Sequence, residues 1–412
     1  MVNNNKLSRN LTLISLILAG EAIFFLPFVL PRIFRPTLLA VFEINNTELG
    51  SFFSVYGVVA MVSYFFGGPL ADRFPARNLM VVALSLTAFG GMLLFTIPQS
   101  LYMKMLYGFW GMTTILLFWA ALIRATREWG GALLQGRAFG WLEGGRGLTA
   151  AIMATLGLYV FSSQTTTADI LISERIYAFR LVILVISGVT LLSAVLVWIF
   201  VPKSTIRLKD ESLSFNNVKQ ILAKPSVWLL SVIIVCAYVG YKITDDFSLY
   251  AKEVMGYSEV KAVGVGTSAL WMRAFTAFIV GITADRLRIV RVISVCFILS
   301  LLGGFLLAIG VLQSNITLTM VNLTFLMIGI YGVRALYFAL IHQGGIPLVL
   351  TGTAVGIVSI IGFTPDVFMS PWMGSLLDNN PGAIGHQKVF LVLSVFSLIG
   401  FIAIRVFSIV RK

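Results

Sequence analysis

Apolar runs of about twenty residues recur along the whole chain, and no other feature of the sequence restricts its fold as much. Twenty residues is the length a helix needs to cross the hydrocarbon core of a bilayer at 1.5 Å per residue. Twelve such runs can be placed, near 11–31, 48–70, 78–98, 103–123, 138–161, 177–201, 227–248, 261–283, 291–311, 316–340, 348–374 and 388–408. No water reaches a backbone N–H or C=O inside lipid, so a span must be a helix or part of a closed barrel. Runs this long are helices. The expected fold class is an all-α membrane protein with twelve transmembrane helices.

Composition agrees. Of the 412 residues 58% are hydrophobic and 11% charged, against about 25% charged in a water-soluble domain. The lipid bilayer is therefore the first expected partner. The net charge of +13 does not point to nucleic acid, because the basic residues flank apolar runs instead of clustering with aromatics. Cys236 and Cys296 both lie inside apolar runs, so neither a disulfide nor a metal site is expected. The stretch MVNNNKLSRN precedes an apolar segment longer than a signal-peptide core and without a small-residue cleavage site, which reads as a retained first helix.

Lys and Arg set the orientation. With both termini inside, the inner segments hold 18 basic residues and the outer ones 8, Arg32 and Arg35 among the latter, with the other four inside spans. The positive-inside rule then puts both termini in the cytoplasm of a multi-pass protein of the cell inner membrane. The one long polar connection, from Val201 to Ser226, follows the sixth span. It divides the chain into an N-terminal six-helix bundle at 1–201, a linker at 202–226 and a C-terminal bundle at 227–412.

An internal repeat supports that division. GGPLADRF follows the second span and VGITADRL the eighth, so Asp72-Arg73 matches Asp285-Arg286 at an offset of 213. QGRAFGW opens the fifth span and TGTAVGI the eleventh, matching Gly136, Ala138 and Gly140 to Gly352, Ala354 and Gly356 at an offset of 216. Two matches at nearly one offset make the halves structural copies.

On these residues the chain resembles the major facilitator superfamily. Gly68-x-Leu70-Ala71-Asp72-Arg73-x-x-x-Arg77 is similar to that family's signature loop, with Pro75 and Ala76 replacing its usual glycine and first basic residue. The resemblance implies two pseudo-symmetric six-helix bundles rocking around one midplane site. It also implies that Asp72, Arg73, Arg77, Asp285 and Arg286 form a conformational latch. A carboxylate at a membrane edge is favoured against a helix N-terminus, and such a contact can exist in one arrangement and break in the other.

Ionisable groups inside a span cost roughly 2.5–3.5 kcal/mol each on insertion scales, and are usually paired or functional. Here they are Arg146, Lys242, Arg273 and Arg334, with Glu21, Glu143, Asp245, Asp246 and Asp366. All fall on the first, fifth, seventh, eighth, tenth or eleventh spans, which the resemblance makes cavity-lining helices. Around the seventh span, AYVGYKITDDFSLYAKEVMGYS resembles bacterial organophosphate:phosphate antiporters. Their phosphate-binding bases correspond to within one residue of Lys242 and to about one turn from Arg32. Lys242, Arg273, Arg32 and Arg334, with Trp119, are accordingly the expected substrate-binding residues. Glu21, Asp366, Glu143 and Arg146 are the expected coupling residues. Glu143 and Arg146 share a helix face and can simply pair. Glu21 can carry a proton or pair with Lys242 or Arg273. Tryptophans elsewhere read as packing or interface anchors.

No zinc-protease, nucleotide-binding-loop or nucleophile-elbow pattern occurs. His342 and His386 lie near loop ends, so no histidine-based active site is expected. The chain is expected to be no enzyme, to need no cofactor or metal, and to be a monomer. The leading expectation is a gradient-driven secondary transporter of a small polar anion, an organophosphate or a carboxylate, with a proton or counter-anion as coupling partner. Two alternatives stand beside it: a proton-coupled transporter of a neutral or zwitterionic nutrient, and a transporter-shaped receptor that binds a solute without moving it.

The latch generates a first prediction. Asp72→Asn should slow transport much more than it weakens ligand affinity, and should shift the thiol accessibility of introduced cysteines from the two sides. Unchanged flux with unchanged accessibility removes the latch.

Overall fold

The structure is a computed structural model. It describes residues 2–131, 135–165, 170–203, 219, 221–344 and 351–410, with the side chains of 2–8, 72, 135–137, 285, 342 and 351–356 outside the described set. The side chains of the latch carboxylates Asp72 and Asp285, and most of the 202–226 linker, therefore lie outside the described set. No strand occurs among the described residues.

Ten helical segments are long and apolar enough to cross a membrane among the described residues. The fifth expected span is one helix, α8 (Gln135–Ser162). The eleventh is two helices divided at Phe363 and Thr364, just before Pro365, a residue that lacks an N–H and so cannot continue a helical ladder.

In chain order, α1 (Val2–Phe24), α2 (Leu30–Ile33) and α3 (Arg35–Phe42) lead into α4 (Asn46–Arg73) and α5 (Ala76–Phe95). Then come α6 (Ser100–Gly111), α7 (Ala120–Gly130), α8 and α9 (Ile172–Phe200). The later helices are α10 (Pro225–Ile243), α11 (Phe247–Glu253), α12 (Glu259–Arg286), α13 (Ile289–Ala308), α14 (Ile316–Leu336), α15 (Thr351–Gly362), α16 (Pro365–Asp378) and α17 (Ala383–Val410).

Helix lengths reproduce the sequence repeat. α4 and α12 are both 28 residues long, α5 and α13 both 20, and each pair is displaced by 213 residues (46 to 259, 76 to 289). Asn45 starts α4 with a capping box: its side chain accepts from Glu48 N at 2.8 Å, while Glu48 Oε2 accepts from Asn45 N at 3.2 Å. Two orphan donors are thereby satisfied at the first turn. Asn315 caps α14 through Leu318 N at 3.0 Å.

Several helices lose their α geometry where a side chain disturbs the ladder. A π segment at Phe25–Val29 contains Pro27, which supplies no N–H. A second, Met112–Trp119, begins where Thr114 Oγ1 donates to Trp110 O at 2.6 Å. A 3-10 turn at Thr244–Asp246 follows Thr244 Oγ1 donating to Tyr241 O at 2.6 Å. Hydroxyls that bond a carbonyl one turn back compete with the helical N–H. These irregularities fall in the first, fourth and seventh expected spans, and a 3-10 stretch at Tyr337–Gly344 runs from within the tenth past its expected end.

The chain divides into two compact units. One is Met1–Leu208 with Tyr257–Trp271, the other Lys209–Gly256 with Met272–Lys412, so the division falls inside α12 after Trp271. The first unit's core is aromatic, with Phe53, Tyr107 and Trp110 buried at ring separations of 5.4 and 5.3 Å. In the second, Val227, Ile233, Ile293, Leu340 and Phe407 are fully buried. Backbones come very close there: a Cβ at Gly329 on α14 would stand 2.6 Å from Cys296 O and 2.7 Å from Ser300 N on α13.

Arg32 and Arg35 correct the sequence reading. Counted as outer flanking charges, both are buried at 1% exposure in α2 and α3. Arg35 Nε and Nη2 donate to Asn46 Oδ1 at 3.0 and 2.9 Å, which meets part of the polarity that burial would otherwise leave unmatched.

The glycine packing is testable by thermal unfolding of purified protein. Gly329→Ala should destabilise by about 1–3 kcal/mol, because backbone atoms cannot yield as a flexible side chain can. Gly188→Ala, where nothing lies within 4 Å, should be neutral or slightly stabilising. Equal behaviour of the two variants would contradict the packing.

Candidate functional site

Each unit holds its own buried charge cluster. In the first unit Glu21, 2% exposed, projects from α1 toward Arg146 on α8, which is 7% exposed. Arg146 Nε lies 3.4 Å from Glu21 Oε2 and donates to Gly20 O at 2.9 Å. Its Nη1 reaches Glu143 Oε1 at 2.7 Å, so the i,i+3 pair forms. Two aromatic rings flank the guanidinium, Phe24 at 5.6 Å and Trp119 at 5.5 Å, within the range of cation–π attraction. Glycine permits this approach: a Cβ at Gly145 would fall 2.6 Å from Ile17 Cγ2, and one at Gly20 would stand 3.2 Å from Arg146 Cδ.

The second unit's cluster is richer in bases. Tyr238, Lys242 and Asp245 follow one another at helical spacing, so one face of α10 and its 3-10 turn presents all three. Lys242 is fully buried, its Nζ 3.3 Å from Asp245 Oδ2 and 3.6 Å from Asp366 Oδ1 at the head of α16. Tyr238 OH donates to Asp366 Oδ2 at 3.0 Å and lies 3.2 Å from its Oδ1. Arg334, near the end of α14, sets its Cζ 3.6 Å from the Tyr241 ring centroid and 5.6 Å from that of Tyr238. Its Nη1 is buried and has no hydrogen-bond partner among the described residues. Arg273 on α12 is 8% exposed and within electrostatic range of Arg334.

The remaining expected residues scatter. Arg32 sits in α2. Arg73 and Arg286 are exposed helix ends, and Arg77 lies over the Trp198 ring at 4.5 Å. Arg124, one of the 18 basic residues of the inner segments, is 6% exposed and donates Nη1 to Ala71 O at the end of α4. That closes a helix terminus whose last carbonyls otherwise lack donors. Glu259, absent from the expected set, accepts from Thr37 Oγ1 and from Arg175, whose Nη2 is 2.8 Å away. Tyr238 was missed too, although its position four residues before Lys242 was a usable signal. Among the described residues no group of His, Cys, Asp and Glu could hold a metal ion.

Residues 12–363 match the family model described as Major Facilitator Superfamily. The chain is 29% identical over 402 residues to inner membrane protein YqcE of Escherichia coli strain K12, covering 95% of this chain and 92% of that protein. It is 25% identical over 391 residues to inner membrane protein YihN of the same organism, covering 93% and 92%. Among solved structures it is similar to a bacterial homologue of the human lysosomal transporter Spinster in an inward-facing, unoccupied conformation (TM-score 0.74, 15% identity, 98% of both chains). It is also similar to the nucleoside transporter NupG (TM-score 0.71, 12% identity, 97% of this chain and 99% of that one).

Burial separates the two acids around Arg146. The Glu21 side chain is 3% exposed and that of Glu143 60%. Glu21→Gln should lower stability by about 2–4 kcal/mol, since it strands part of a buried guanidinium, and Glu143→Gln by under about 1 kcal/mol. Thermal unfolding of the two variants checks the order, and the reverse order contradicts the pairing.

Proposed function

Because the chain belongs to the Major Facilitator Superfamily, we propose that it is a secondary transporter of a small polar anion, an organophosphate or a carboxylate, working by alternating access. The setting is the cell inner membrane, where the named E. coli relatives reside, with several apolar helices crossing the bilayer and both termini in the cytoplasm.

The observation that supports an anion is Arg334. Lys242 is opposed by Asp245 and Asp366, whereas Arg334 rests on tyrosine rings with Nη1 unmet among the described residues. A guanidinium presents N–H donors in a planar fork that fits carboxylate and phosphate oxygens. Arg273 adds a second positive charge to its surroundings. Glu21 is read as a structural partner of Arg146, and Asp366 as the group that shares Lys242 and Tyr238.

A second reading keeps a neutral or zwitterionic nutrient. It draws on the first unit, where two carboxylates face one guanidinium, and on NupG, whose own cargo is a nucleoside.

Uptake into proteoliposomes from a panel of organophosphates, dicarboxylates, amino acids and nucleosides separates these readings. Arg334→Ala should weaken use of the best anion by tenfold or more, a loss of about 1.4 kcal/mol or greater, and Arg334→Lys should restore only part of it. Transport of a nucleoside or amino acid that is indifferent to Arg334→Ala would overturn the anion reading. Saturable binding of a panel solute without any flux would mark a receptor instead.

A further inference from the structure

His386, read from sequence as a loop-end residue, is 0% exposed near the start of α17. Its Nδ1 lies 2.7 Å from Asp246 Oδ2, and its Nε2 lies 3.1 Å from Glu253 Oε2. Ionised carboxylates only accept hydrogen bonds, and a neutral imidazole has a single N–H to give. Both contacts are made at once only if the three groups together hold a second proton, which sits on the ring when both carboxylates are ionised. We propose that Glu253, His386 and Asp246 form a proton-binding site whose proton holds the 3-10 turn that presents Asp245 to Lys242.

The surroundings fit a bound charge. The Tyr250 ring and the imidazole meet in a T-shaped arrangement with centroids 5.4 Å apart, and Phe390 packs on Tyr250 at 5.2 Å. A cation in such an apolar niche is tolerated only when its hydrogen bonds are met by opposite charge. The facing groups can be assigned element by element. The turn supplies Asp246, and α11 supplies Glu253 and Tyr250. α16 and the loop after it meet the neighbouring Gly385 through Leu376, Leu377 and Asn380, none of which titrates. The turn after α13 meets Gln387 at Gly310, again without a charge.

Position gives the site its consequence. The Glu253 side chain is 40% exposed while Asp246 and His386 are sealed, so protons enter from the Glu253 end. Asp245 and Asp246 are consecutive in one three-residue turn. The first engages Lys242 and the second His386. Loss of the proton leaves two carboxylates competing for a ring with one donor, so the hold of His386 on the turn weakens. The Lys242–Asp245–Asp366 cluster is then held less firmly at its Asp245 end.

The consequence for transport rests on the transporter reading, but the site can be tested without a cargo. The full chain with His342→Gln, reconstituted in lipid nanodiscs with 15N-labelled histidine, has one labelled ring. At neutral pH that ring should show both nitrogens protonated, and Asp246→Asn and Glu253→Gln should each shift its titration. With 15N-labelled Thr and Asp, the Thr244, Asp245 and Asp246 amides should move along the same pH curve and stop moving in His386→Gln. A neutral, single-tautomer ring at neutral pH that is unchanged in Asp246→Asn overturns the site. Turn amides that ignore the ring's titration overturn its positioning role. If His386→Gln does not fold, the ring and turn titrations of the parent protein still decide both points. Failure of every panel solute to be transported would sink the anion reading and leave these outcomes as they stand.

Discussion

Lys242 is buried, so its charge must be met by protein atoms, and this requirement organises the polar centre of the second unit. Removing one partner of a buried ion pair costs about 3–5 kcal/mol, comparable to a large share of a protein's net stability. Asp245 from the turn after α10 and Asp366 from the head of α16 meet that charge together, and Tyr238, one helical turn before Lys242, donates to Asp366. Apolar surface facing lipid gains little by turning inward, because lipid tails are as apolar as leucine. Polar contacts and close backbone packing, as at Gly329, therefore bear more of the specification than they would in a water-soluble core.

How much of this the sequence disclosed depended on the range of each interaction. The spans were legible because about twenty apolar residues in lipid leave only the helix. The repeat was legible because its copies share motifs, and the matched lengths of α4 with α12 and α5 with α13 show it again. Glu143 with Arg146 was readable from i,i+3 spacing alone. Partners brought together by tertiary packing were not. The contact of Arg146 with Glu21 crosses from α8 to α1, and spacing along the chain says nothing of it. Arg32 and Arg35 were read as flanking charges because basic residues after an apolar run usually are. The chain instead continues helically through α2 and α3 and buries both. His386 carried no signal at all, since its partners lie more than a hundred residues away.

Irregular backbone accompanies several of these charges. Proline in the first expected span and threonine hydroxyls in the fourth and seventh each interrupt regular α-helical bonding. Inside lipid an interruption is tolerated only where protein re-satisfies the freed groups. Thr114 illustrates how: it bonds Trp110 O and also contacts the Tyr56 hydroxyl, tying the π segment to α4. The same deviation that costs regularity turns side chains to angles an unbroken helix would not give them.

The three residues Thr244–Asp246 aim two consecutive acids at two different bases, and that arrangement has an evolutionary corollary. Each residue of helix advances the chain by about 100° of rotation. A single deletion or insertion in the turn would therefore swing the whole of α11, carrying Tyr250 and Glu253 off the imidazole and exchanging which acid faces which base. Substitutions at this place alter one contact, but a change of length scrambles all of them. Lineages descended from this chain should drift in the chemistry of the turn while keeping its residue count fixed.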